Sequence, residues 1–272
     1  MLGIHKVARM PASRLDWQHD RARKILERLA SGKRINRTSD DAAGLAIAAR
    51  LSAQIASQAQ GMRNLHDGIS LTRVAEGGLA ESSNLLVRMR ELTIQGLNGT
   101  LSDSDRATIQ QEYDALAAEV TRISGETRFN GKPLLDGSLT GSGAISIESG
   151  QGSDVVTTGI EVADASAAAL GVQDLGVADP GTLDRLDQAR EIVSRMRASL
   201  GSTENRLLSQ VTQVGVAHES GSASRSVIED FDMVLGISDL IKIHIIEQGG
   251  LSLLAQGRLL SRRSILELLL TR

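Results

Sequence analysis

The side chains best suited to hold a metal or move a proton are five histidines, His5, His19, His66, His218 and His244. They are scattered, and neither a His-x-x-x-His nor a His-Glu-x-x-His spacing exists to hold zinc. With no cysteine there is no thiol nucleophile and no disulfide framework. The glycine-rich run "TGSGAISIESGQGSD" lacks the Lys-Ser/Thr ending of a phosphate loop. Asn98-Gly99-Thr100 has the spacing of a glycosylation triplet but is read as a helix stop. The densest chemistry lies in "SGKRINRTSDDAAGLAIA" (Ser31 to Ala48), where Lys33, Arg34, Arg37, Asp40 and Asp41 precede a run of small residues. Such a stretch could be a hinge between helices, an active-site loop or a basic anion-binding loop. The hinge accounts for every charge. Thr38 is expected to act as N-cap of the following helix, with Asp41 at its third position returning the bond. Lys33, Arg34 and Arg37 follow "ERLASG", where a helix C-terminus favours cations. The small residues Ala42, Ala43, Gly44, Ala46, Ala48 and Ala49 let another backbone come close, so the hinge is expected to pack against something. Catalysis, a cofactor and a metal centre are therefore not expected.

The elements that must position this hinge are long helices. Leu51, Ile55, Met62, Leu65 and Ile69, continued by Leu85, Met89 and Leu92, follow heptad-like steps, which predicts one helix from about Asp41 to about Leu97. A capping box at Ser102 and Asp105 starts another, with Ile109, Tyr113, Leu116, Val120 and Ile123 on its seam. From Gly125 to Gly181 the texture turns to Gly, Ser, Thr and alternating β-branched residues, predicting hairpins with turns at Asn130-Gly131 and Asp136-Gly137. Helix resumes with Leu186, Val193, Met196, Leu200, Leu207, Val211 and Val214, and is expected to break around His218 to Ser226. Terminal helices, from about Ser13 to Leu29 and beyond Val227, complete a mirrored order. The expected fold is mainly α: a long antiparallel helical rod or coiled-coil bundle, a small β-hairpin region and paired terminal helices.

Composition agrees with helices packed side by side. Among 272 residues, Trp17, Tyr113, Phe129 and Phe231 are the only aromatics, and three prolines interrupt the chain. A net charge of −3 with interspersed signs carries no footprint for nucleic acid. The apolar tracts "LIKIHII" and "SILELLL" are short and charged, so no membrane insertion is expected. No cleavable signal peptide is read in the first residues. Between Ile237 and Ile246, apolar side chains (Ile237, Leu240, Ile241, Ile243, Ile245, Ile246) surround nearly the whole helix, which a solvated helix does not tolerate. Burial against other copies of the chain is the expected answer. A contact between unlike faces that does not close gives an open helical polymer.

One family then becomes recognisable. "LERLASGKRINRTSDDAAGLAIAARL" (Leu26 to Leu51) resembles the most distinctive motif of bacterial flagellins, the structural subunits of the flagellar filament. "HDGISL", "VRMRELTIQGLNGTLSDSDR", "FNGKPLLDG", "LGSTENRL", "IEDFDM" and "LLAQ" follow in the family's order. The resemblance implies a homopolymeric, extracellular flagellum filament for motility. It divides the chain into an N-terminal inner-tube helix (1–32), a spoke (33–47) and the N-terminal part of a rod domain (41–136). A short β/loop region (137–181) stands in place of outer domains, followed by a C-terminal rod helix (182–220) and a C-terminal inner-tube helix (221–272). By the same resemblance Arg34, Ile35, Asn36, Asp40, Asp41 and Leu45 form the spoke that contacts neighbouring subunits. Ile237, Leu240, Ile241, Ile245, Leu253 and Leu254 pack the inner tube. Arg88, Leu92 and Glu112 match a surface read by a host innate receptor. Implied partners are the flagellar export apparatus, a secretion chaperone, and hook-associated and cap proteins. Pro11 falls inside the expected terminal helix. Two other readings stay open: a hook-filament junction protein, and a secreted helical adhesin that does not polymerise.

Overall fold

The 3.6-residue period dominates the backbone. A computed structural model describes residues 2–150 and 156–270, and the side chains of residues 17–150, 156–252, 255 and 256. Among the described residues five α-helices carry the fold: α1 (Leu2–Ser31), α2 (Ala42–Gly96), α3 (Asp103–Glu126), α4 (Gly181–Glu229) and α5 (Met233–Leu270). Between α3 and α4 lie two antiparallel two-stranded sheets, β1 (Arg128–Phe129) with β2 (Lys132–Pro133) and β3 (Ile145–Ser149) with β4 (Val156–Ile160). The chain divides into one unit of Gln54–Ser220 and another of Met1–Ala53 with Gly221–Arg272.

In the Gln54–Ser220 unit, the buried face of α2 reads Leu65, Gly68, Thr72, Ala75, Leu79, Ser82, Leu86, Met89, Thr93 and Gly96, at alternating steps of three and four. Leu85 stands beside this seam, partly buried, and Leu86 occupies it. The polar members are satisfied within the helix: Thr72 donates to the Gly68 carbonyl at 2.8 Å, Ser82 to that of Gly78 at 3.0 Å and Thr93 to that of Met89 at 2.9 Å. A hydroxyl bonded to its own helix packs as a small residue, which lets neighbours approach closely. The facing seam of α4 runs Thr182, Leu186, Ala189, Val193, Met196, Leu200, Thr203 and Leu207, with the same period. Arg73 with Glu204 (2.8 Å), Glu76 with Arg197 (2.7 Å) and Arg90 with Asp187 (3.0 Å) match these helices antiparallel. Being exposed, such pairs mark register more than they add stability.

The Ser102–Asp105 capping box forms, with both backbone amides bonded, and starts α3. Ile109, Tyr113, Ala117 and Val120 of α3 turn into the same core, and Ile123 is buried further along the helix. Asn130 (φ 49°) and Gly131 (φ 79°) make the two-residue turn between β1 and β2. A left-handed pair in that position suits the twist of a tight hairpin. β3 and β4 pair from Ile145 with Ile160 to Ser149 with Val156. Their sheet lies on the helices, Asn64 donating to the Glu148 carbonyl at 3.1 Å and Thr158 bonding Gln210.

Two expectations about helix limits are corrected. α4 does not break at His218 to Ser226 but continues to Glu229. His218, Gly221, Arg225 and Ile228 keep its three-four spacing as half-buried positions, and serine without proline does not stop a helix already propagating. The terminal helix begins well before Ser13, since α1 spans Pro11. A proline removes one amide donor but leaves the bonds of the flanking turns in place.

Candidate assembly site

The unit of Met1–Ala53 and Gly221–Arg272 is stitched at the point where the chain passes from α1 to α2 and again from α4 to α5. Gly32, at φ 70°, ends α1 in the left-handed conformation that a helix C-terminus favours. Lys33 and Asp230 then form an antiparallel bridge. The Arg34 amide donates to the Glu229 carbonyl at 2.6 Å and the Phe231 amide to the Gly32 carbonyl at 2.9 Å. Lys33 Nζ pairs with Glu229 Oε1 at 2.5 Å, and the Arg34 guanidinium donates to the Ile228 carbonyl at 2.7 and 3.2 Å. Arg37 pairs with Glu27 at 3.0 Å.

The basic half of the hinge therefore meets a helix C-terminus, as its chemistry requires, but Arg34 caps α4 and not α1. The acidic half is also corrected. Asp41, not Thr38, is the N-cap of α2: its Oδ1 accepts the Gly44 amide at 2.8 Å. Asp40 Oδ2 accepts the amides of Asn36 and Arg37, both at 3.2 Å. Those bonds, with the charges of Arg28 and Lys24, hold its carboxyl below the usual aspartate range against a smaller opposing effect of burial. Ile35 is buried at the centre of the loop. A Cβ on Gly44 would stand 2.4 Å from Asp41 Oδ2 and 2.9 Å from Ile35 Cδ1, so the N-cap leaves room for glycine only. Gly44 and Ala48 are the buried small residues of this run, Leu45 is half-buried, and Ala42, Ala43, Ala46 and Ala49 face outward.

At the second crossing the Phe231 ring fills the space over Gly236, where a Cβ would come within 2.3 Å of Cε1 and 2.7 Å of Cζ. Replacing Gly236 by Ala is expected to displace that ring and to destabilise the unit by about 1–3 kcal/mol, measured by urea unfolding followed by circular dichroism.

Among the described residues a narrow seam joins α1 to α5. Ala22, Ile25 and Ile243 are buried, with Leu29 and Leu240 packed against them, and His19 Nε2 lies 3.1 Å from Glu247 Oε1. Other apolar side chains on the described part of α5 stay open: Val234 is 78% exposed, Ile237 50%, Ile241 54%, Ile245 64% and Ile246 56%. Of the expected inner-tube residues, Leu240 serves the seam of its own chain, and Ile237, Ile241 and Ile245 form the uncovered flank. Leu253 and Leu254 lie on α5, their side chains outside the described residues.

Arg88 bonds Glu112 at 2.8 and 3.2 Å and Glu91 at 3.1 Å, and its guanidinium is held above its ordinary range by those carboxylates, Glu112 first. Leu92 does not share this surface. It is 1% exposed, because it turns into the core beside Met89 and offers no side chain to a partner. Among the described residues no group of His, Asp and Glu is placed to hold a metal ion, and no helix is long and apolar enough to cross a membrane.

Sequence reasoning missed Glu229, Phe231 and Gly236. "IEDFDM" stood out as a motif, but nothing in one sequence says that it pairs with "GKR" some two hundred positions away.

Residues 10–140 match the family described as bacterial flagellin N-terminal helical region, and residues 183–269 the bacterial flagellin C-terminal helical region. A flagellar filament 33 kDa core protein of Treponema phagedenis is 38% identical over 263 residues, covering 90% of this chain and 91% of that protein. A flagellin of Bacillus subtilis is 36% identical over 291 residues, with 93% and 95% covered. The crystal structure of Bacillus cereus flagellin superposes with a TM-score of 0.48 at 33% identity, over 56% of this chain and 88% of that one.

Proposed function

The chain belongs to the bacterial flagellin family, and from that premise we propose how it works as a subunit of the extracellular flagellar filament. The observation that carries the reading is the open flank of α5. Ile237, Ile241, Ile245 and Ile246 are each at least half exposed on a helix whose described side chains are covered chiefly by α1 within their own unit. Apolar side chains in such number are stable in water only when other copies cover them. Contacts between unlike faces, repeated without closure, build a filament.

In this reading α1 and α5 form the inner tube and residues 33–47 the spoke. The outward-facing Ala42, Ala46 and Ala49, beside the half-exposed Ile47, support a close contact of the spoke with a neighbouring backbone. Arg34, Ile35, Asn36, Asp40 and Asp41 hold the loop in one shape instead of reaching outward. Export through the flagellar secretion channel, a chaperone on α5, and hook-associated and cap proteins at the filament's ends complete the reading. Recognition by a host innate receptor would rest on Arg88 and Glu112.

The test is assembly itself. After salting out, the purified chain is expected to form long tubes visible by electron microscopy, and deletion of Ile237 to Arg272 is expected to leave a helical monomer. A wild-type chain that sediments only as monomer would favour the non-polymerising adhesin.

A further inference from the structure

Charge is not shared evenly between the two units. Residues 1–53 with 221–272 hold 17 Lys and Arg against 11 Asp and Glu, a net charge of +6, whereas residues 54–220 hold 13 against 22, a net charge of −9. On α1 the excess forms a stripe: Trp17, Arg21, Lys24 and Arg28 stand 4, 3 and 4 residues apart and flank the seam of Ala22 and Ile25. The stripe borders an open cleft of about 670 Å³ that continues to Arg37 and Asp40. Arg21 lies 5.5 Å from the centre of the Trp17 ring, which is 59% exposed. Three acids line the cleft beside the cations Arg21, Arg23, Lys24, Arg28 and Arg37; Glu27 is engaged by Arg37 and Asp40 by two backbone amides, which leaves Asp20. Among the described residues Arg21, Lys24 and Arg28 have no carboxylate within 4.0 Å.

The opposite charge gathers at one end of the Gln54–Ser220 unit. Asp103 and Asp105 open α3 there, and the segment 172–184 with Asp174, Asp179 and Asp184 lies against the same helix. The Gln110 side chain donates to the Leu175 carbonyl at 2.9 Å and accepts the Val177 amide at 2.8 Å, and the Tyr113 hydroxyl reaches the Val172 carbonyl at 3.0 Å. Across residues 101–110 and 172–185 these five aspartates are met by two cations, Arg106 and Arg185.

We propose that the Trp17–Arg28 stripe of one copy seats the aspartate-rich end of a second copy, an electrostatic contact between unlike faces of the filament subunit. This rests on the polymerising reading and adds to it the pair of surfaces that meet. Complementary charge steers encounter and fixes register, and a head-to-tail pair leaves both faces available to the next copy. An anionic lipid surface would also attract a basic helix, but it leaves the acidic complement on the same chain without a role.

Two charge-reversed full-length variants test the pairing, Arg21→Glu with Lys24→Glu and Arg28→Glu, and Asp103→Lys with Asp184→Lys. At low salt each variant is expected to need about tenfold or more protein to polymerise, with wild-type helix content by circular dichroism. Mixed at equal amounts they are expected to assemble near the wild-type concentration, because each reversed face then meets its opposite. Trp17, the one tryptophan, reports burial of the stripe by fluorescence. Assembly of either variant at wild-type concentration and salt dependence would overturn the proposal, as would failure of the mixture to recover. So would loss of binding to phosphatidylglycerol vesicles in the Arg21/Lys24/Arg28 variant with polymerisation unchanged, which assigns the stripe to lipid. Should wild type form no tubes, the filament reading fails. The pairing then stands if the two variants bind each other in sedimentation velocity and falls if they do not.

Discussion

Aspartate in place of Ile237, Ile241 and Ile245 together is expected to abolish tube formation while leaving a folded monomer. None of the three belongs to the seam of Ala22, Ile25 and Ile243, and each is at least half exposed, so the isolated chain loses little. Exposed substitutions of this kind usually shift stability by no more than about 0.5 kcal/mol each. Between copies the balance differs. Covering the remaining half of an isoleucine contributes roughly 1 kcal/mol, since full burial is worth about 1.5–3. A carboxylate carried into the same apolar contact costs several kcal/mol more, unless it is paired. Three substitutions therefore remove more than about 5 kcal/mol per subunit, which raises the protein concentration needed for assembly by a factor above roughly 10³. Sedimentation after salting out, with circular dichroism on the supernatant, measures both halves of the expectation. Tubes at wild-type concentration would show that this flank meets water in the filament.

Tyr113→Ala is expected to cost the Gln54–Ser220 unit about 3–5 kcal/mol, the range for emptying a large buried aromatic site. The ring is fully buried among α2, α3 and the segment after β4, and its hydroxyl donates to the Val172 carbonyl at 3.0 Å. Tyr113→Phe keeps the ring and is expected to cost about 1 kcal/mol, the net value of one hydrogen bond plus a carbonyl left short of a donor. Urea unfolding separates the two. The same burial, with the nearby Asp114 charge, pushes the phenol up to about 12 from an ordinary value of 10.0. Because the folded value is the higher one, the contribution is complete below pH 10 and is lost as pH rises toward 12. With a single tyrosine in the chain, tyrosinate absorbance is expected to appear together with loss of helix and not before it.

Much of the helical layout could be read from apolar spacing, because Leu, Ile and Val repeat on the faces of α2, α3 and α4. Leu65, Met89 and their like mark the seam of α2 in the sequence, whereas Thr72, Ser82 and Thr93, buried in the same seam, carry no apolar signal. A hydroxyl that bonds its own helix's carbonyl sits in a seam as a small apolar residue does, and no hydropathy scale records that bond. Spacing sets Leu92 on the apolar seam, where it is buried beside Met89 and Thr93, and only the resemblance joins it to the surface of Arg88. The hinge was legible in kind. Its acids and bases do satisfy helix ends, but Arg34 serves a helix that starts some 150 positions later, and the N-cap falls at Asp41, where the chain turns after Asp40 has closed the loop. Local rules name what a residue wants. They do not say which distant group supplies it.

The bridge between Lys33 and Asp230 has a consequence for the order in which the molecule can form. Lys33 finds its carboxylate partner 196 residues further along the chain. Contacts of such separation pay the largest loop-closure entropy and form after the local ones that shorten the loop. A chain delivered N-terminus first has its whole middle, from α2 to most of α4, free to fold before Glu229 arrives. The knot that unites its two ends is thus tied last, when nearly the entire molecule has emerged.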